Sequence, residues 1–128
     1  MKTIGQLVAE RKKQKRKPST RLRDNSLFFI EYELKKMGIE VVKEHRFDAV
    51  RRWRFDMVVL SLKIAIEYEG IGSSKSRHTT LTGYTGDCEK YNAATKQGWK
   101  VLRYSALNIK DALSDIKEII NQLQEKEK

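Results

Sequence analysis

The stretch RFDMVVLSLKIAIEYEG (residues 54–70) decides how this chain is read. Two short apolar runs meet at Ser61 and Leu62, and Asp56, Glu67 and Glu69 sit among Val, Ile, Leu and Met. WRFDMVVL and KIAIEYE are β-branched, aromatic and short, so they read as two strands joined tightly. With Ser61-Leu62 as the turn, antiparallel partners have numbers summing to 123, and Asp56 faces Glu67. Ser-Leu is not a favoured two-residue turn. A loop two residues longer keeps the same pairing. Side chains alternate along a strand. One face then carries Trp53, Phe55, Met57, Val59, Ile64, Ile66 and Tyr68, and the other Arg54, Asp56, Val58, Ala65, Glu67 and Glu69.

Directly opposed carboxylates repel, and burying charge without a partner costs several kcal/mol. Arg54 is placed to compensate Glu69, which leaves Asp56 and Glu67 in need of a cation. Oxygen-rich sites suit hard divalent ions, and Mg²⁺ usually takes one or two carboxylates plus water and phosphate oxygens. The expected metal ligands are therefore Asp56, Glu67 and Glu69, for Mg²⁺ with Mn²⁺ as a substitute. Ordinary acids on a solvent-facing sheet are the alternative. Helical segments before and after the strands argue that both faces are covered.

Working outward, DNSLFFIEYELKKMG reads as a helix capped by Asp24, Asn25 or Ser26, with Leu27, Ile30, Leu34 and Met37 at helical spacing and Gly38 at its end. Residues 39–47 are strand-like. Residues 70–84 are rich in Gly, Ser and Thr and read as an exposed loop. DCEKYNAATKQ is helix-like and ends at Gly98, WKVLRY is a further strand, and residues 108–124 form an amphipathic closing helix. The order is αβββαβα.

The 128 residues suit one domain. No apolar run approaches the roughly 20 residues of a membrane span, and the N-terminus lacks the apolar core of a secretory signal. The single cysteine, Cys88, excludes an internal disulfide framework and a cysteine-based zinc cluster, and a reducing cytoplasm is the expected compartment. The net charge of +10 is uneven. Residues 1–23 hold nine Lys/Arg and one acid, and the remainder holds 18 Lys/Arg and 16 Asp/Glu. The expected organisation is a basic arm over residues 1–23 on a nearly neutral domain over 24–128. Such an arm points to a polyanion, most often nucleic acid.

Five blocks together resemble the PD-(D/E)XK nuclease superfamily, and within it small phage and bacterial endonucleases of the Holliday-junction-resolvase type. They are RRWRFD at 51–56, EYEG at 67–70, RHT at 77–79, EKYN at 89–92 and GWKVLR at 98–103. The resemblance covers roughly residues 24–108. It implies an α/β, restriction-endonuclease-like αβββαβ core, a mixed sheet flanked by helices, and Mg²⁺-dependent hydrolysis of DNA phosphodiesters. Asp56 matches the motif aspartate and Glu67 the motif acid. Phe55 replaces the motif proline, and Glu69 stands where the motif lysine would be. Lys90 on the following helix is the candidate replacement cation, with a solvated helix lysine as the alternative.

His78 is a candidate for orienting water or phosphate, and Glu31 for the first-helix acid that superfamily members often add. Tyr91 and Asn92 are candidates for substrate contact. Arg51, Arg52, Arg54, Lys75 and Arg77 flank the site, and Lys12, Lys13 and Arg16 lie in the arm; all eight are expected to meet DNA phosphates, which adds affinity but little sequence information. Branched or junction DNA is the expected substrate. Paired cuts at a junction imply a symmetric homodimer, and the setting is the cytoplasm of a bacterium or of a phage-infected host. A non-catalytic DNA-binding module on a degenerate nuclease fold is the alternative that Glu69 keeps open. An RNA-associated basic protein rests on the arm alone.

Overall fold

The computed structural model describes residues 3–6, 18–70 and 80–127. Helix α1 (Pro18–Lys36) is followed by strands β1 (Val42–Arg46), β2 (Arg54–Val59) and β3 (Ile64–Tyr68), helix α2 (Leu81–Lys96), strand β4 (Lys100–Tyr104) and helix α3 (Ala112–Lys126). The strands lie in the order β1-β2-β3-β4. The first three are antiparallel, and β4 runs parallel to β3 after crossing over through α2. This is a mixed α/β fold with the expected element order.

The expected register holds. Met57 pairs with Ile66, Val58 with Ala65 and Val59 with Ile64. The connection is the longer one, a 3₁₀ turn over Leu60–Leu62 closed by Lys63 at φ 52°. Both long helices that precede strands end on glycines at positive φ, Gly38 at 78° and Gly98 at 88°. The amides of Ile39 and Trp99 turn back to the carbonyls of Leu34 and Ala94, at 3.0 Å each. These bonds satisfy last-turn acceptors and direct the chain into the sheet.

Three sequence expectations are corrected. Residues 81–84, expected in a loop, form the first turn of α2, capped by the Thr80 side chain, which accepts from the Gly83 amide. Helix α1 begins at Pro18, so Asp24, Asn25 and Ser26 lie inside it and cap nothing. Proline suits a first helical turn, where its missing N–H costs no bond. The last residues counted with the basic arm are therefore helical. The third correction concerns alternation along β2. Phe55 does not share a face with Met57 and Val59; it packs with Val58, Ala65, Ala94 and Trp99 on the α2 side. Trp53 follows it, stacking on Phe47 of that same cluster. The break falls at Asp56, where two departures from regular pairing coincide. Glu44 of the neighbouring strand sits at φ 50°, and the β2–β3 ladder goes no further than Met57–Ile66.

Both sheet faces are covered. Leu27, Ile30 and Leu34 of α1 and Ala112 and Ile116 of α3 pack on Met57, Val59, Ile64 and Ile66. Helix α2 covers the opposite face through Ala94 and Tyr91. Among the described residues, no helix is long and apolar enough to cross a membrane.

The closing helix tests this packing. Ile116 is fully buried, whereas Leu107 just before α3 is 88% exposed. Ile116→Ala should destabilise the fold by about 2–5 kcal/mol, and Leu107→Ala by no more than about 0.5 kcal/mol. Urea unfolding of the two variants checks the contrast.

Candidate active site

At the end of the β2–β3 ladder the two strands exchange side-chain bonds in place of backbone ones. The Asp56 amide donates to Glu67 Oε1 at 3.0 Å, and the Tyr68 amide donates to Asp56 Oδ2 at 2.8 Å. Each carboxylate is thus fastened to the opposite strand, which fixes its orientation without help from long flexible side chains. Glu67 is buried and Asp56 nearly so.

Two cations reach the pair from different helices. Arg23 of α1 pairs with Asp56 Oδ1, and its guanidinium also meets Asp24 at 3.1 Å and Glu44 at 3.3 Å. From α2, Lys90 Nζ lies 3.2 Å from Glu67 Oε2. Lys90 is only 12% exposed, held above the Phe55 and Tyr91 rings at 5.3 and 5.5 Å. That environment sets aside the solvated-lysine alternative. Part of the compensation that the opposed acids require therefore comes from within the chain.

It is not complete. Burial, and next the charge of Asp56, push Glu67 up to about 7 against the opposing pull of Lys90. Near neutral pH Glu67 therefore readily takes up a proton. The donors of the pair are hard carboxylate oxygens, which fit Mg²⁺ or Mn²⁺.

Glu69 belongs to a separate cluster. Its Oε1 accepts from Arg103 at 2.6 Å and from the Tyr91 hydroxyl at 2.9 Å. Arg103 stacks on the Tyr91 ring at 4.1 Å. Burial, followed by the charges of Glu67 and Glu69, raises the Tyr91 phenol, so Tyr91 remains a donor. The expectation that Arg54 compensates Glu69 is corrected. Glu69 lies beyond β3 beside the parallel strand β4, and Arg103 of that strand is the closer partner. Among the described residues no three His, Cys, Asp or Glu side chains converge as a metal-ligand group. Of the three expected ligands, the structure brings Asp56 and Glu67 together and holds Glu69 on Arg103 and Tyr91.

Glu31 is buried, and its carboxylate lies 3.6 Å from both Lys35 and Lys43. The α1 side chain that reaches Asp56 is Arg23, eight residues earlier and about 12 Å along the helix axis. Arg51, Arg52 and Arg54 are exposed on the β2 approach. Arg51 pairs with Glu89 at 3.3 Å and stacks on Trp53 at 4.1 Å. His78, Lys75 and Arg77, and Lys12, Lys13 and Arg16, lie outside the described residues.

Sequence reasoning missed Arg23. Counting charge placed it in the arm, and only the continuation of α1 back to Pro18 brings it over β2. A helix drawn further back from Leu27 would have put Arg23 one turn before that core residue.

No family model and no curated protein matches the chain. Among solved structures, the homing endonuclease I-Bth0305I catalytic domain resembles it at 22% identity and a TM-score of 0.45, covering 77% of this chain and 86% of that one.

The raised Glu67 sets a pH signature. Between about 4.5 and about 7 the folded chain holds a proton on Glu67 that the unfolded chain has lost. Stability in EDTA should therefore fall as pH rises through that window. Glu67→Gln keeps an acceptor for the Asp56 amide and removes the charge. It should flatten the fall and stabilise the fold at pH 8 by about 1–3 kcal/mol. Urea unfolding at pH 5 and pH 8 measures both effects, and an unchanged pH slope in the variant counts against a strained carboxylate pair.

Proposed function

We propose that the chain is a metal-dependent, structure-selective DNA endonuclease that hydrolyses phosphodiester bonds, of the junction-resolvase type. The observation that carries this reading is the convergence of Asp56, Glu67 and Lys90. Two strand-held carboxylates and a sequestered ammonium from the crossover helix meet at one point. The sequence resemblance assigned motif roles to those two acids and proposed that lysine as the replacement cation.

Mg²⁺ or Mn²⁺ held by Asp56 and Glu67 would supply Lewis-acid polarisation of the phosphodiester. The Asp56 amide orients Glu67, and the Tyr68 amide orients Asp56. Lys90 lies against Glu67 with little access to water, so its charge is weakly screened and acts strongly on negative charge developing on a phosphate. The Phe55 and Tyr91 rings below it limit where the ammonium can go. Arg51, Arg52 and Arg54 offer phosphate contacts on the approach. With few other features that would read base edges, DNA shape is the better candidate for what the chain selects. Branched or junction DNA suits that content, paired cuts would call for a homodimer, and the cytoplasm is the proposed compartment.

A second reading has one specific observation behind it. Glu69 occupies the motif-lysine position and is committed to Arg103 and Tyr91, as in a fold that binds DNA without cutting it.

Labelled linear, nicked, flapped and four-way DNA incubated with and without Mg²⁺ or Mn²⁺ separates the two. The nuclease reading expects metal-dependent cuts, most readily in branched substrates; the binding module expects retention without cuts. Asp56→Asn and Glu67→Gln should each abolish cleavage while leaving DNA binding intact or tighter, because an acid beside phosphate has been neutralised. Full activity in both variants rules out the assigned carboxylates.

Lys90→Ala should slow cleavage by a factor on the order of 10² to 10³, as when one transition-state donor is lost. Lys96, exposed and six residues on, points away from Lys90 at about 100° per residue and serves as the control. Equal mild losses in Lys90→Ala and Lys96→Ala would mean that Lys90 only neutralises Glu67 and takes no part in cleavage.

A further inference from the structure

Beside the carboxylate pair, a column of rings runs from the surface to Lys90. Its outer end is the Arg51 guanidinium, 4.1 Å over the Trp53 ring. Trp53 lies nearly parallel to Phe47, at 6.2 Å between centroids and 15° between planes. Phe47 lies on Phe55 at 4.2 Å and 10°. Phe55 in turn lies beneath Lys90, which meets Glu67. The inner rings are core: Phe55 is fully buried and packs with Trp99 and Ala94. Trp53 is different. It is half-buried and carries on its face an exposed arginine whose other partner is the exposed Glu89.

A flat cation on an indole at the surface occupies the place a nucleobase would take. Stacking of bases on aromatic side chains is tolerant of sequence, because every base has a π-face. Only unpaired bases can use such a platform, since a duplex presents base edges to its grooves and keeps its faces stacked internally. Arg51 can swing from the ring to a phosphate of the same nucleotide, as its Glu89 pair is exposed and worth little. Arg52 and Arg54 on either side of Trp53 provide further positive charge for the backbone.

We infer that Trp53 is a stacking site for an unpaired nucleobase of the DNA substrate, a few nucleotides from the carboxylates. This rests on the proposed DNA substrate and deepens it. The feature recognised at a junction or flap would be a splayed base on Trp53, with duplex arms held only through phosphates.

Binding, rather than cleavage, tests it. Affinities for a labelled flapped duplex and its matched linear duplex are measured by fluorescence anisotropy in EDTA for wild type, Trp53→Phe and Trp53→Ala. Trp53→Ala should weaken flapped-DNA binding by about 5- to 100-fold, what one base–aromatic stack is worth. Linear-duplex binding should change by less than about twofold, and Trp53→Phe should retain most of the preference for the flap. Equal changes on both DNAs, or none on either, overturn the inference.

Because Trp53 helps cover Phe47, a second measurement avoids removing it. In Trp99→Phe, Trp53 is the remaining tryptophan, and its fluorescence should be quenched by an oligo-dT strand and not by linear duplex. Absence of that quenching also overturns the proposal. No divalent metal enters either assay. A chain that never cuts DNA yet shows this pattern keeps the platform and loses the nuclease reading, whereas a chain that cuts without it does the reverse.

Discussion

Asp56 and Glu67 repel each other across two strands, and the surrounding structure is arranged around that repulsion. The strands cannot separate, because Met57, Val58 and Val59 are fully buried against both helical layers. Nor can the carboxylates turn to water, since each accepts an amide of the opposite strand. What remains is to bring positive charge to them. Arg23 and Lys90 do so from α1 and α2, on which the two faces of the sheet also depend for cover. Charge and packing are therefore coupled: undocking either helix uncovers a face and leaves one carboxylate without its cation. Removing either cation leaves a largely buried carboxylate unpaired, which is destabilising.

The pairing of β2 and β3 was legible in the sequence because a one-residue slip would move every side chain to the wrong face. Met57, Val59, Ile64 and Ile66 leave a single register that buries them together, and that register brings Asp56 opposite Glu67. Lys90 was legible for another reason. It stands on the helix that crosses over from β3 to the parallel strand β4, and a crossover helix packs on the sheet. The glycines at 38 and 98 marked helix ends because few other residues take positive φ.

Other features were not legible, for identifiable reasons. Strict alternation predicts Phe55 on the Met57 side. The break at Asp56 depends on Glu44 in the neighbouring strand, and no local pattern around Phe55 carries that information. Arg23 was hidden by composition, since it follows a run of lysines and arginines and reads as the last of them. Arg103 was hidden by topology. It lies 34 residues from Glu69, and only the parallel placement of β4 beside β3 brings them together. Phe55, Arg23 and Arg103 each depend on a contact between different elements, whereas the hairpin register and the glycine-marked helix ends rest on spacing within one hairpin or helix.

The position of Lys90 has a consequence for the proposed chemistry. A lysine on β3 itself would be held by the same ladder as the carboxylates and would share their rigidity. Here the residue just past β3 is Glu69, tied to Arg103 and Tyr91, and the ammonium comes instead from the crossover helix. Its location is then set by how α2 packs, through Tyr91, Ala94 and the Phe55 ring beneath the lysine stem. Tyr91 joins the two clusters, donating to Glu69 while its ring lies below Lys90. Loss of the Glu69–Arg103 pair would thus loosen the support of Lys90 without touching Asp56 or Glu67. Glu69 and Lys90, the cation proposed to act on the phosphate, are mechanically linked through one tyrosine.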